Sequence, residues 1–405
     1  MRSTSTKRLA FALAITATLG STLVGSANAD PKQLGAAIGV GSDTTQDVLN
    51  AFAGNTAGLN YTPVQSSAAT GQRQIISFDA VPPAGTTGTC ITVKPGAPTI
   101  DRPNGSTSGR RALSRAIDGT GYGNTVAPVN CGGINNVSGL FQFARSSAGP
   151  AAGDLGTDLT YIPFGRDALS FAYYRAAGAP VTTLTRAQLT TLFTTGPQVI
   201  GGVRIVPCGI QLGSGTFNFW QTVTTATAAQ EAASTAECNA LVPNPATGGR
   251  SQENDGTALK ARGDALAAIP ANANDQVVIG FSAGSFTATS NLVAPGAPPA
   301  AVQMGSISDN GAGVNLGSPV TGTAPNVAPA PTFYADGVFG RNIYNVFSRL
   351  VIESLVGNAD LKSLFVGTTS SVCAATATIT TFGFLPLAVG CGSTALHGSL
   401  IAGQL

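Results

Sequence analysis

The 405-residue sequence predicts an α/β protein with a largely parallel sheet, and two observations carry this prediction. Short apolar runs alternate along the chain with segments whose apolar residues repeat at helical spacing, as in α/β folds. The 376 residues after position 29 (405 minus 29) are too many for one hydrophobic core and suit two domains. Glycine and proline are abundant, but 43% of the residues are hydrophobic, so we expect a folded, loop-rich protein rather than a disordered one.

The first 29 residues have the pattern of a secretory signal peptide. Basic residues at positions 2, 7 and 8 precede an apolar run, and Ala-Asn-Ala at 27–29 gives a small-residue cleavage site. A membrane anchor is the alternative, and the cleavage site and the short apolar run disfavour it. The first cysteine is Cys90, so no lipid-anchored cysteine follows the apolar run. We expect a secreted or periplasmic protein.

The charge balance excludes several partners. Removing 1–29 takes away three basic residues, so the 21 basic and 19 acidic residues become 18 and 19. No Lys/Arg run is present, which makes nucleic acid and anionic membrane surfaces poor partners. No second stretch is long and apolar enough to span a bilayer.

Six cysteines in an exported chain indicate disulfides. Fifteen pairings are possible, and the sequence alone does not choose among them. The loose clustering into three pairs favours Cys90–Cys131, Cys208–Cys238 and Cys373–Cys391. A metal site is the alternative, but the chain has no CxxC motif and only one histidine.

A strand, a turn rich in glycine and hydroxyl residues, and a helix recur along the chain. In the first instance, 36–54, an apolar run ends at Gly41 and the turn 42–45 precedes a helical pattern. The other predicted elements are, in order, a strand at 77–81, a helix at 105–118, a strand at 141–147, paired β-segments within 159–175, a helix at 185–193 capped by Thr185, strand, turn and helix at 203–223, a strand at 276–282, and an amphipathic helix at 340–355. Segments 82–105 and 287–332 are predicted to be loop-like insertions because they are rich in proline and glycine.

The residues available for catalysis are few. The single histidine, His397, is the only candidate base for a serine or cysteine nucleophile, and no G-x-S-x-G elbow precedes a helix. None of the five lysines lies in a P-loop. We expect a binding protein rather than an enzyme, without a metal or cofactor.

The hydroxyl-rich turns at helix starts point to an anion. Free N–H groups at a helix start carry the positive end of the helix dipole, and a hydroxyl at the same turn donates one more hydrogen bond. Three such turns, 42–45, 106–108 and 214–216, together with Ser146 and Ser147, could hold an oxyanion if they converge. A plain helix cap is the alternative for any one of them.

The order of these segments resembles the periplasmic phosphate-binding proteins of ABC uptake systems, which have the type II periplasmic-binding-protein fold. The segments that carry the resemblance are GSDTTQDVLNAF, NGSTSGRRAL, FQFARSSAGP, LTRAQLTTLFTTG, LGSGTFNFW, QENDGTAL, VVIGFS and GRNIYNVF. The resemblance implies two α/β lobes joined by two crossovers and closing over the ligand. It places the first lobe at 30–163 plus 333–405 and the second at 164–332, with 287–332 as an insertion.

The resemblance also implies a ligand set and a function. The implied ligand-binding residues are Ser42, Asp43, Thr44, Thr45, Ser106, Ser146, Ser147, Ser214, Gly215 and Thr216. Ile210 stands where the family has its phosphate-binding arginine, and Ser147 replaces the family's ligand aspartate. Asp43 could replace that acceptor. Arg145, Arg166 or Arg341 could replace the positive charge, and Arg166 is our candidate ligand.

The expected function is capture of phosphate or a similar oxyanion by a monomer, for an ABC permease or for extracellular scavenging. A cell-surface or structural protein without an anion ligand is the main alternative. An extracellular phosphohydrolase is a third, and it would need a nucleophile beside a base or a metal.

Overall fold

The computed structural model describes residues 37–56, 58–66, 74–82, 89–123, 131–243, 247–354 and 358–403; the predicted signal peptide lies outside them. The helices are α1 Gln46–Phe52, α2 Ser106–Asp118, α3 Arg186–Thr195, α4 Gly215–Thr224, α5 Ala228–Ser234, α6 Ala236–Leu241, α7 Gly256–Ala267, α8 Ala283–Ser290, α9 Pro331–Ala335, α10 Arg349–Ile352, α11 Ala359–Phe365, α12 Ser371–Ala374 and α13 Thr376–Thr381. The strands are β1 Ala37–Gly41, β2 Asn55–Thr56, β3 Leu59–Asn60, β4 Ile75–Ser77, β5 Cys90–Ile91, β6 Ile100–Asp101, β7 Phe143–Ser146, β8 Leu159–Arg175, β9 Thr183–Thr185, β10 Gln198–Ile200, β11 Val203–Pro207, β12 Gln276–Ser282, β13 Gln303–Met304, β14 Ser306–Asp309, β15 Val320–Thr321, β16 Ala328–Pro329, β17 Gly340–Ser348, β18 Leu385–Pro386 and β19 His397–Gly398.

The fold is α/β with two lobes, and each lobe holds one half of the main sheet. The strands lie in the order β10-β11-β12-β8-β17-β7-β1-β4. The pairs β1–β4, β1–β7 and β11–β12 are parallel, whereas β17 runs antiparallel to both its neighbours. The sheet is therefore mixed rather than largely parallel. We call the half with β4, β1, β7 and β17 the first lobe and the half with β10, β11 and β12 the second lobe.

The strand β8 crosses from one lobe to the other. Residues 159–168 pair with β17 in the first lobe, and residues 169–175 pair with β12 in the second. The prediction of paired β-segments was wrong here, because 159–175 is one continuous 17-residue strand. Its Pro163 lies beside a register shift of β17, and such an irregularity tolerates a residue without an N–H. The chain comes back from the second lobe into β17, which gives two crossovers between the lobes.

The strand β17 corrects a second prediction. The segment 340–355 was expected to be an amphipathic helix, but Gly340–Ser348 is a strand and only Arg349–Ile352 is helical. The apolar residues Ile343, Val346 and Phe347 lie at i, i+3 and i+4, which is helical spacing, although the strand that holds them is buried on both faces. In β17, Val346 and Phe347 are adjacent, and they enter the hydrophobic cores on opposite faces of the sheet.

Most of the other elements confirm the sequence prediction. Thr185 caps α3 with a capping box to Gln188, and the strand–turn–helix units lead into α1 and α4. The predicted strand at 77–81 is displaced, since β4 ends at Ser77. The 287–332 segment contains the short strands β13 to β16 in place of a plain loop.

The three predicted disulfides are confirmed, and each closes a local loop. They join Cys90 to Cys131, Cys208 to Cys238 and Cys373 to Cys391. Within the described part of the chain, no helix is long and apolar enough to cross a membrane.

Candidate functional site

The first-lobe part of the candidate site begins at the end of β1. Gly41 has a φ of 111°, and a β-carbon there would lie 2.8 Å from the carbonyl oxygen of Arg145 and 2.9 Å from the Cα of Gly109. Only glycine permits this close approach between β1, β7 and α2. The turn Ser42–Thr45 follows and leads into α1, and all four of its residues are buried.

A second helix start from the first lobe lies beside this turn. Gly105, with a φ of 87°, precedes Ser106, the first residue of the 13-residue helix α2. The Ser106 hydroxyl accepts a hydrogen bond from the Ser147 N–H at 3.0 Å and lies 3.2 Å from the Ser147 hydroxyl. The end of β7 and the start of α2 thus present neighbouring hydroxyls.

The second lobe contributes the start of α4. Ser214 caps this helix, its hydroxyl accepting from the N–H groups of Thr216 at 3.0 Å and Phe217 at 3.4 Å. The intervening Gly215 lies against the first lobe, since a β-carbon there would be 2.5 Å from the hydroxyls of Ser106 and Ser147. The segment Gly213–Thr216 therefore forms the second-lobe wall of the site.

Hydroxyls from both lobes meet at one buried point. Thr44 Oγ1 is 3.2 Å from Thr216 Oγ1 and 3.4 Å from the Ser147 hydroxyl. Around this hydroxyl cluster (Thr44, Ser106, Ser147, Ser214 and Thr216) the lobes also bond directly. The N–H of residue 107 donates to the carbonyl of residue 213 at 2.9 Å, and Gln211 donates to Asp43 Oδ2 at 3.1 Å. The two turns, 42–45 and 214–216, face each other, as an anion clamp requires.

A carboxylate that the sequence reasoning missed lies inside the hydroxyl cluster. Glu253 is completely buried, and its Oε1 accepts from Thr44 Oγ1 at 3.0 Å and from the Ser214 hydroxyl at 2.7 Å. Its Oε2 has no hydrogen-bond partner among the described residues. The sequence analysis used the segment QENDGTAL only for its place in the order of the resemblance. The residues next to Glu253 in the chain are polar and gave no sign that it is buried.

Asp43 and Glu253 come together from opposite lobes. Burial, followed by the negative charge of Glu253, raises the pKa of Asp43 well above its ordinary value. Two carboxylates that share a dry site do not both ionise easily, so the pair retains a proton to a higher pH than an exposed pair would.

One arginine reaches the cluster from the crossover strands. Arg341 of β17 donates from Nη2 to Thr216 Oγ1 at 2.8 Å and forms a buried ion pair with Asp167 of β8 at 2.8 Å. Asp167 also accepts from the Ser282 hydroxyl and the Gly284 N–H, which ties the crossing strands to the second lobe. Arg341 Nη1 is buried and has no partner among the described residues. Among the described residues, Arg341 thus supplies a positive side chain next to the hydroxyls of the site.

Other candidate residues are used elsewhere. Arg166 donates to the carbonyls of Tyr334 and Asp336 and to Asn342, so the structure does not bring it to the cluster. Arg145 is buried behind the first-lobe turn and donates to the carbonyls of residues 41, 42 and 78 and to a serine hydroxyl. The Ser146 hydroxyl donates to the carbonyl of residue 148 in its own turn.

Two more predicted residues, Ser42 and Thr45, have buried hydroxyls with no hydrogen-bond partner among the described residues. Ile210, at the family's arginine position, is buried in the second-lobe core. The described residues include no group of three or more His, Cys, Asp or Glu side chains that could hold a metal ion. Among the described residues, the arrangement supplies hydroxyl hydrogen-bond donors, the cation of Arg341 and the carboxyl groups of Asp43 and Glu253. Such groups can form hydrogen bonds and ion pairs with a polar ligand.

Comparisons with known proteins give no family model that matches and no matching curated protein. Solved structures with a similar chain path include an ABC-type phosphate transport receptor from Vibrio cholerae, with 14% identity, 86% of this chain and 99% of that chain covered, and a TM-score of 0.42. A candidate phosphate ABC transporter substrate-binding protein from Clostridium perfringens, solved with bound phosphate, has 11% identity, 87% and 100% coverage and a TM-score of 0.43. A phosphate-binding protein from Stenotrophomonas maltophilia has 14% identity, 88% and 92% coverage and a TM-score of 0.39. At these values the ligands of those proteins are not transferred to this chain, and the site is assigned from its own geometry.

Proposed function

We propose that this protein is a secreted or periplasmic solute-binding protein that captures a small oxyanion, phosphate foremost, between its two lobes. One observation carries the proposal: hydroxyl-bearing helix starts from both lobes converge on a single buried point, with Thr44 Oγ1 3.2 Å from Thr216 Oγ1. Arg341 adds positive charge at the same point. Donors fixed at helix starts suit an anion because the helix dipole and the free N–H groups favour negative charge there.

Capture requires the lobes to part and close again. Hydroxyls that touch directly have to separate before an oxyanion can lie between them, since each donor stands about 2.7 Å from the oxygen it binds. The two crossover strands β8 and β17 are the connections along which such a hinge motion would act. The lobe boundaries at 163/164 and 332/333 stay a prediction, and β8 changes its partner from β17 to β12 between residues 168 and 169.

The carboxyl group of Asp43 favours phosphate over sulfate in its ionised form, with Glu253 holding any proton that the pair retains. Hydrogen phosphate brings an O–H group that can donate to a carboxylate, whereas sulfate at neutral pH has none. Asp43 thereby takes the role of the aspartate that Ser147 replaces.

The experiment is a thermal-shift and calorimetric screen of the mature protein against phosphate, arsenate, sulfate and molybdate. We expect phosphate and arsenate to raise the unfolding midpoint, because a ligand that binds only the folded state stabilises it. Ser214→Ala combined with Thr216→Ala removes the effect, whereas Thr222→Ala, an exposed hydroxyl on the same helix, preserves it. An equal response to all four anions, or to none, would refute the proposal.

The structure also favours a second candidate, a cell-surface or structural protein of the same fold without an anion ligand. The observation behind it is that the donors of the clamp already bond across the interface, for example the N–H of residue 107 to the carbonyl of residue 213. The absence of any anion response in the screen would support this candidate.

Three disulfides suit an extracytoplasmic protein and support the proposed export. Delivery of the anion to an ABC permease, by a monomer, completes the proposal. Pull-down of permease subunits by the phosphate-loaded protein would test this part.

A further inference from the structure

The carboxylate of Glu253 holds the position that an oxyanion would take in the clamp. A carboxylate is itself an oxyanion, and its Oε1 accepts hydrogen bonds from one donor of each lobe. These donors are Thr44 at 3.0 Å and Ser214 at 2.7 Å. Any ligand that takes both hydroxyls has to displace this carboxylate.

We propose that Glu253 is a built-in competitor of the anion, which must leave the clamp before the ligand binds. This inference rests on the proposed oxyanion-binding function. It assigns to Glu253 the control of affinity, whereas the hydroxyls provide the contacts.

Glu253 does not have the surroundings of a structural ion pair. A buried carboxylate held for stability is normally paired with a cation and has its oxygens satisfied. The nearby Arg341 is paired with Asp167 instead. The other close neighbour of Glu253 is the carboxyl group of Asp43 rather than a cation, so its contacts are the two hydroxyls of the clamp and a second acid.

The charged groups around Glu253 should make the affinity for the ligand depend on pH. Asp43 faces it from the first lobe, and Arg145 lies behind Asp43. Arg341, which is paired with Asp167, is linked to Glu253 only through the hydroxyls of Thr216 and Thr44. A phosphate that enters beside two ionised carboxylates meets like charges in a dry site. The raised pKa of Asp43 means that the pair is most protonated at low pH and loses its proton as pH rises. Ligand affinity should therefore fall with increasing pH in the natural protein.

The test is isothermal titration calorimetry of phosphate into the full mature protein and into Glu253→Gln and Glu253→Ala variants. We expect both variants to bind phosphate at least about tenfold more tightly at pH 8, because a charge opposed to the ligand is gone. Comparing the proteins at one pH cancels the ionisation of phosphate itself. Glu237→Gln, a half-exposed carboxylate of the same lobe, is the charge-matched control and should leave the affinity unchanged.

The outcomes separate the inference from the function on which it rests. If the natural protein binds phosphate and the Glu253 variants bind equally or more weakly, Glu253 is a ligand or a bystander and the inference is wrong. If no variant binds any oxyanion while circular dichroism shows native folding, the proposed function itself fails. Tight binding by the variants with weak or no binding by the natural protein would support both.

Discussion

Replacing Gly215 by alanine tests whether lobe closure brings the two hydroxyl-bearing walls together. Gly215 is the first residue of α4, so its backbone is helical and the second lobe alone tolerates an alanine there. A β-carbon at this position would lie 2.5 Å from the hydroxyls of Ser106 and Ser147 and 3.1 Å from the backbone nitrogen of Ala148. These three atoms belong to the first lobe, so the substitution obstructs closure without disturbing either lobe.

The size of the effect follows from these distances. Ordinary contact begins at 3.4 Å, so the new methyl group overlaps two hydroxyls by about 0.9 Å (3.4 minus 2.5). Overpacking of this kind costs about 1–3 kcal/mol. The cross-lobe hydrogen bonds, such as that between Thr44 and Thr216, are lost on opening in both proteins and cancel in the comparison. We expect the closed state to be disfavoured by about 1–3 kcal/mol, which corresponds to roughly 5- to 150-fold in the closure equilibrium.

Small-angle X-ray scattering and phosphate calorimetry measure the result. Gly215→Ala should increase the radius of gyration and weaken phosphate binding, while the unfolding midpoint of the free protein changes little. Gly337→Ala is the matched control, since a β-carbon at Gly337 meets nothing within 4 Å. Unchanged scattering together with unchanged affinity in the Gly215 variant would show that these walls do not close on one another.

Three further predictions concern stability. Burial and the neighbouring Asp79 raise the pKa of Asp47 to about 7, so its contribution to stability is full below its ordinary pKa and is lost as pH rises through about 7. Asp47→Asn should therefore stabilise the protein by on the order of 1–3 kcal/mol at pH 8 and hardly at all at pH 4, measured by urea denaturation; equal effects at both pH values would refute this reasoning. Arg341→Met should lower the free energy of unfolding by about 3–5 kcal/mol, because it leaves Asp167 buried without its cation. Adding Asp167→Asn should restore stability but not phosphate affinity. Recovery of both would show that Arg341 does not act on the ligand. The Cys208–Cys238 disulfide closes a loop with a sequence separation of 30. Replacing both cysteines by alanine should lower the free energy of unfolding by about 3–4 kcal/mol in the same denaturation assay. A loss below about 1 kcal/mol would mean that the unfolded chain is already constrained.

Local chemistry explains which parts of the fold the sequence predicted. Caps such as Thr185 and Ser214 act within a few residues, so the helix α3 and the strand–turn–helix unit that leads into α4 could be predicted from their own segments. The disulfide pairing could be predicted because the cysteines cluster in three pairs along the chain. The strand β17 could not be distinguished from a helix, because its burial on both faces depends on neighbours that are distant in sequence.

The candidate site divides in the same way. The hydroxyl turns were found because each belongs to a helix start, and their convergence was expected only from the resemblance. The role of Glu253 was not predictable, since it is 209 residues from Thr44 in the chain and only the fold brings the two within 3.0 Å. Three arginines remained possible until the register of β17 against β8 set Arg341 opposite Asp167.

A crystal structure of the mature protein grown with phosphate would show whether the two lobes bind the anion between them. We expect phosphate between the lobes, with its oxygens within hydrogen-bond distance of Thr44, Ser214 and Thr216, and with the Glu253 carboxylate moved away from Thr44 and Ser214. Phosphate bound on an outer surface, with these hydroxyls still bonded to one another and to Glu253, would contradict this expectation.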